Sequence, residues 1–211
     1  MGKRMQNRLE TQAAIFDAAV ALVEQQGYDN TSVEEICAAA GVGRATFFRY
    51  FETKAGLLRE YNRRLTADAA ERLTAMGDAD AGARLRAIAG AIHDAWTSAG
   101  PGVRRLGGDA AALADPTGER THPELIGLVL DVVRTGLAAG ELRTDLPPPL
   151  VAYLVVNHLA GAAWWWFDHP DDDLQALLDH SLDQCLNGIA VSSPSPRRPA
   201  ATRRARRKVT T

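Results

Sequence analysis

The chain has 211 residues, 46% hydrophobic and 24% charged, with 24 Lys plus Arg against 26 Asp plus Glu for a formal net charge of −2. That is an ordinary globular composition, and its two cysteines, Cys37 and Cys185, exclude a disulfide framework or a thiolate metal site and suit a reducing cytoplasm. The start, MGKRMQNRLE, has no apolar run after its basic residues and so does not read as a secretory signal.

The near-neutral total conceals an uneven distribution. Residues 197–208 hold seven positive charges and no acid, whereas 1–191 carry 17 basic and 26 acidic residues. Within that region, 1–60 is close to balanced with 7 basic and 8 acidic groups, and 61–191 is acidic with 10 and 18. Head, body and tail therefore need separate readings.

In chain order the dominant period is helical. Leu9, Ala13, Phe16, Val20 and Val23 form one apolar stripe along a first helix that stops at Gly27. Thr31-Ser32-Val33-Glu34-Glu35 offers two overlapping capping boxes, Thr31 with Glu34 or Ser32 with Glu35. The short helix they open turns Val33, Ile36, Cys37 and Ala40 inward and ends at Gly41. A third helix begins at Arg44 and runs to Phe51, and Thr53 can cap a long fourth one. Further helices are expected at about 81–98, 102–114, 122–139, 148–167 and 171–190, with loops at Gly100-Pro101-Gly102, Asp115-Pro116-Thr117-Gly118 and Gly140 to Pro149. The fold class is thus all-α with about nine helices: a three-helix head (1–52), a larger helical body (53–191) and a disordered basic tail (192–211).

Leu150 to Phe167 is 18 residues without a charge, close to the lower limit for a membrane span. Asn157 and His158 at its midpoint argue for a helix buried on all sides within protein, and no membrane partner is expected.

Residues 31–54, TSVEEICAAAGVGRATFFRYFETK, carry the function. Two short helices joined by a glycine-containing turn make a helix-turn-helix, whose second helix can enter the DNA major groove. Ala38-Ala39-Ala40 lets the two helices cross closely, and Phe47 with Phe51 anchors the second one on the core. Arg44, Ala45, Thr46, Phe48, Arg49 and Tyr50 remain for the other faces, with Arg44 placed for base edges and Lys54 as a phosphate clamp. Lys3, Arg4 and Arg8 could form a mobile arm at the duplex.

On these residues the chain resembles the TetR family of bacterial transcriptional regulators. The likeness rests on Phe16, Thr31/Ser32, Ile36, Ala38 to Val42, Thr46 to Phe51, Lys54 and Leu57-Leu58, and covers about residues 9–60. It implies that Thr31 or Ser32 contacts phosphate, that Arg44, Ala45 and Thr46 read bases, and that Lys54 contacts phosphate. Phe48 and Tyr50 stand where the family most often has Tyr and His, so the operator cannot be borrowed from a relative.

In the body, Leu174, Leu177, Leu178, Ser181, Leu182, Cys185, Leu186 and Ile189 form a stripe at 3-4 spacing, preceded by an apolar helix containing Val155, Leu159 and Ala162. The resemblance implies that this helix pair packs against a two-fold mate, making a homodimer suited to a palindromic operator. It also implies a small-molecule pocket, for which Tyr61, His93, Trp96, Leu106, Leu125, Tyr153, His158 and Trp165 are candidates; their few charges and their Trp residues suggest an apolar or aromatic effector. Successive residues on a helix diverge by about 100°, so Trp164, Trp165 and Trp166 cannot all face one cavity.

The five histidines are scattered, so no metal site or cofactor is expected, and no catalytic constellation points to an enzyme. Asp171-Asp172-Asp173 reads as a helix start. The tail is either a solubilising end or an electrostatic arm that follows phosphates. The resulting expectation is a cytoplasmic repressor, nucleoid-associated when on DNA, released from a double-stranded operator by an effector. The alternative is a ligand-independent DNA-binding or architectural protein.

Overall fold

The computed structural model describes residues 3–54, 56–111 and 122–187. These residues form helices without strands, in the order α1 (Lys3–Gln26), α2 (Val33–Ala39), α3 (Arg44–Phe51), α4 (Gly56–Ala75), α5 (Ala81–Ser98), α6 (Pro101–Ala111), α7 (Pro123–Ala139), α8 (Pro148–Asp168) and α9 (Leu174–Asn187). The expected disordered tail 192–211 and the loop Asp115 to Gly118 lie outside the described residues.

Local chemistry explains most boundaries. Asp80 caps α5 by accepting from the Ala83 amide, Thr53 Oγ1 accepts from the Gly56 amide at 3.2 Å, and α7 ends on Gly140 in the left-handed region. Two expectations shift. Pro101 and Gly102, expected in a loop, open α6, because a proline costs a helix nothing at its first position. Helix α1 already begins at Lys3, so Lys3 and Arg8 lie on a helix rather than on a mobile arm. Its inward face is Ile15, Phe16, Ala19 and Val23, and Leu9 is left 39% exposed.

One apolar core runs through the molecule. Phe16, Ile36, Phe47 and Phe51 fill the space between α1, α2 and α3, and Leu57 and Leu58 at the start of α4 join them. The same helix continues into the body with Leu65, Ala69 and Leu73. α4 is therefore the beam shared by both ends. α6 bridges them a second time, packing on α1 and on α8. Its approach requires glycine: a Cβ on Gly102 would lie 2.6 Å from the Val20 carbonyl oxygen, and one on Gly107 would lie 2.7 Å from the Trp96 ring and 2.8 Å from Phe167.

α8 packs on α6, α7 and α9. It is long and apolar enough by length and composition to cross a membrane, but only 39% of its apolar window is buried. Within a single chain the expected burial on all sides is not complete. Leu150, His158, Gly161 and Trp165 leave one face of α8 open to solvent.

Candidate nucleic-acid interface and effector cavity

At the start of α2, Ser32 is the cap, its Oγ accepting from the Glu35 amide at 3.2 Å. The Glu35 carboxylate in return accepts from the Ser32 amide at 2.8 Å and from its hydroxyl at 2.7 Å. Of the two capping boxes the sequence allows, the Ser32–Glu35 one forms, and its hydrogen bonds from Ser32 hold the Glu35 carboxyl below its ordinary range. Thr31 is only 1% exposed and donates its hydroxyl to the Gly27 carbonyl at 2.7 Å. Its expected phosphate contact is corrected: the side chain closes the end of α1 and faces inward.

α3 splits its residues as its period requires. Phe47 and Phe51 are buried, Thr46 and Tyr50 are half-buried, and Arg44, Ala45, Phe48 and Arg49 are exposed. Arg44 pairs with Glu34 of α2, and its guanidinium stands 5.8 Å from the Phe48 ring centroid. Arg49 lies 5.1 Å over Tyr50. An exposed pair such as Arg44–Glu34 contributes about 0–1 kcal/mol, so it orients the arginine without locking it.

Lys54, expected as a phosphate clamp, is anchored from within the head. Its ammonium donates to the Tyr28 carbonyl at 2.5 Å and the Thr31 carbonyl at 3.0 Å, and stands 3.9 Å from the Tyr28 ring centroid. Two of its three N–H groups thus tie the α1–α2 turn to the start of α4.

Glu60 joins the same region. It is 7% exposed and accepts from Gln12 of α1 at 2.8 Å, Arg63 at 2.8 Å and Arg64 at 2.9 Å. Burial pushes its carboxyl up, but the hydrogen bonds and charges of Arg63 and Arg64 outweigh burial and leave it below the ordinary value.

Deeper in the body, α4, α5, α7 and α8 line an apolar cavity. Its wall comprises Asn62, Leu65, Ile92, Trp96, His122, Leu125, Val156, Leu159, Ala160, Ala163, Trp164 and Phe167. The free space is ≈ 30 Å³, room for about two water molecules. His122 precedes the first turn of α7; burial pushes its pKa down to about 4, and its Nε2 is buried without a hydrogen-bond partner. The imidazole is therefore neutral at neutral pH.

Of the eight residues expected at a pocket, only Trp96 and Leu125 lie on this wall. Tyr61 lies behind it, donating its hydroxyl to the Ala95 carbonyl at 2.7 Å and packing against Trp96, and burial raises its pKa to about 12. Leu106 is fully buried on α6, Tyr153 is half-buried and partnered, and His93 bonds Asp94 at 2.9 Å. His158 and Trp165 point out of the opposite face of α8. The three tryptophans diverge as expected: Trp164 faces the cavity, Trp165 is 53% exposed, and Trp166 is buried with its Nε1 donating to the Asp172 carbonyl. Their acidic neighbours act locally. Asp172 accepts from Trp165 Nε1 at 2.9 Å, and Asp173 accepts from the Ala176 amide at 3.1 Å.

The residues expected to face a partner are also corrected. Val155, Leu159, Ala162, Leu174, Leu178 and Leu182 are all no more than 6% exposed within a single chain. They are core positions, since the most apolar stripe packs inward on α5 and α7 before any partner is met. Cys185 and Leu186 are half-buried beside the loop after α7. The open face of the pair consists of Leu154, Asn157, His158, Gly161, Trp165, Leu177 and Ser181, with the expected Ala162 at its floor.

Residues 15–61 match the bacterial regulatory proteins of the tetR family. Over 58 residues the chain is 41% identical to the HTH-type transcriptional regulator AcrR of Shigella flexneri, spanning 28% of this chain and 27% of that one. FadR of Thermus thermophilus, a TetR-family transcriptional repressor in complex with lauroyl-CoA, superposes with a TM-score of 0.68 at 26% identity, covering 88% of this chain and 98% of that one. FadR of Bacillus subtilis, in complex with stearoyl-CoA, shares the fold with a TM-score of 0.65 at 18% identity, covering 84% and 99%. The head therefore matches the DNA-binding region of the tetR family of bacterial regulatory proteins, and the chain as a whole shares the fold of a TetR-family repressor.

Proposed function

We propose that the protein is a homodimeric, sequence-specific DNA-binding transcriptional regulator, a repressor released from a palindromic operator by an apolar small molecule. One observation carries this reading. α4 holds Leu57 and Leu58 in the core of the helix-turn-helix and Asn62 and Leu65 in the wall of the effector cavity. In this reading residues 1–52 grip DNA, with Arg44, Ala45, Phe48 and Arg49 toward the groove and Ser32 at its edge, and residues 53–191 bind effector and partner. Two copies meet through the open face of α8 and α9, centred on Trp165 and Gly161. A two-fold pair then sets its recognition helices about 34 Å apart, one turn of duplex.

The cavity volume supports a mechanism. With ≈ 30 Å³ free, a ligand fits only by moving α4 or α8, since a close-packed interior does not otherwise yield. Motion of α4 is transmitted at once to Leu57 and Leu58. Motion of Phe167 or Trp96 is transmitted through Gly107 on α6, whose Gly102 end lies on α1. Release follows when the ligand prefers the spread state by a few kcal/mol. The fatty-acyl chains of the acyl-CoA molecules held by the two FadR structures support an apolar occupant. The same small volume favours the competing reading, a ligand-independent DNA-binding protein whose side chains fill the cavity.

Selection of bound duplexes from a random pool tests the first half of the proposal. A palindrome is expected, and a pool that shows no enrichment would sink it. The selected duplex then serves to find compounds that release the protein; operator affinity unmoved by every cavity ligand would leave the ligand-independent reading.

A further inference from the structure

The cavity wall has an unusual composition for a site that must recognise one molecule. Among the described residues it carries no Lys, Arg, Asp or Glu, and Trp96, Trp164 and Phe167 supply flat apolar surface. Asn62 on the wall already has a partner. His122 Nε2 is buried and has none, and the only other such nitrogen among the described residues, Arg84 Nε, lies elsewhere. Native interiors rarely leave a buried nitrogen unpaired, and such atoms call for a ligand, a water or a strain argument. The backbone gives His122 no helical rationale, since it precedes α7 without making a side-chain cap bond.

We propose that this cavity takes an uncharged aromatic or hydrocarbon molecule bearing one hydroxyl, and that the hydroxyl pairs with His122 Nε2. This rests on the reading of the cavity as the effector site. A hydroxyl satisfies either tautomer of a neutral imidazole, donating to a bare nitrogen or accepting from N–H. A carbonyl serves only one tautomer. A carboxylate would meet no cation among the described wall residues, and the desolvation of that charge disfavours it. His122 is thus the specificity-determining polar contact in a site otherwise selective only for shape.

The test uses the full chain and three probes of equal skeleton: 4-ethylphenol, ethylbenzene and 4-ethylbenzoate, titrated by calorimetry at neutral pH. In the native protein 4-ethylphenol is expected to bind at least as tightly as ethylbenzene, and 4-ethylbenzoate not to bind in the same range. The affinity ratio of phenol to hydrocarbon should fall about tenfold in His122→Leu, the worth of one buried hydrogen bond, and be largely kept in His122→Gln. A ratio unchanged by His122→Leu, a preference for the benzoate, or no binding of phenol or hydrocarbon up to their solubility overturns the proposal. Should His122→Leu fail to fold, the ordering of the three probes on the native chain and on His122→Gln decides it. Phenol binding that depends on His122 but leaves operator affinity unchanged supports the site and removes the effector reading. Operator binding with no discrimination among probes does the reverse.

Discussion

His122 makes an acid-stability prediction whose sign and size follow from its burial. In the unfolded chain its imidazole protonates near 6.5, whereas in the fold burial lowers that to about 4. The unfolded state therefore takes up the proton first as pH falls. Stability is fully present above 6.5, declines by about 1.4 kcal/mol per pH unit between 6.5 and about 4, and levels off below that. At pH 5 the loss amounts to about 2 kcal/mol, a substantial fraction of the 5–15 kcal/mol typical of domains. Other carboxylates and histidines add their own slopes, so the informative quantity is a difference between two proteins. Native chain and His122→Gln are unfolded with urea at pH 7.5 and pH 5 at one fixed concentration, which holds any dimer contribution constant. The native protein should lose about 2 kcal/mol more than the variant across that interval. Equal losses would refute a buried neutral imidazole, and a larger loss in the variant would reverse the sign of the argument.

Four further outcomes are expected. Gly56→Ala would set a Cβ against the Phe51 carbonyl oxygen, so thermal melting should show a loss of ~2 kcal/mol or more in place of the gain that helix propensity alone gives. Arg44→Ala should cost about 1–3 kcal/mol of discrimination between the selected operator and a scrambled duplex in gel-shift titrations, while retained discrimination would displace the recognition helix from its assignment. Leu178→Ala should lower stability by about 2–5 kcal/mol as a core truncation, whereas Trp165→Ala should leave the fold intact and shift sedimentation toward monomer. Deleting 192–211 should weaken binding to any duplex and flatten its salt dependence with operator preference preserved; an unchanged slope makes the tail a solubilising end.

Local chemistry made the head legible. The cap at Ser32, the glycine turn at Gly41 and the four-residue spacing of Phe47 and Phe51 each depend on neighbours a few residues away, so their order along the chain specified both the motif and its outward face. The same holds for α5, whose bounds at 81 and 98 follow from Asp80 as cap and the break at Gly100-Pro101. Thr31 and Lys54 escaped that logic. Each side chain is used by a contact between elements, Thr31 with the end of α1 and Lys54 with Tyr28 across 26 residues. A resemblance that assigns Thr31 to phosphate records a position in a motif and not the direction in which a side chain turns.

In the body the sequence by itself determined that helices form and which stripe of each is most apolar. It could not determine what each stripe meets. Leu174, Leu178 and Leu182 of α9 satisfy their own chain's core first, because an intramolecular contact costs no association entropy, and so they are unavailable to a partner, whereas Leu177 stays on the open face. The rotation of α8 decided that Trp164 faces the cavity and Trp165 faces solvent, although the two are adjacent in sequence. His122, one scattered histidine among five, acquires its character only where α4, α5, α7 and α8 close around it, since burial is a property of the surroundings and no pattern in one chain segment encodes it.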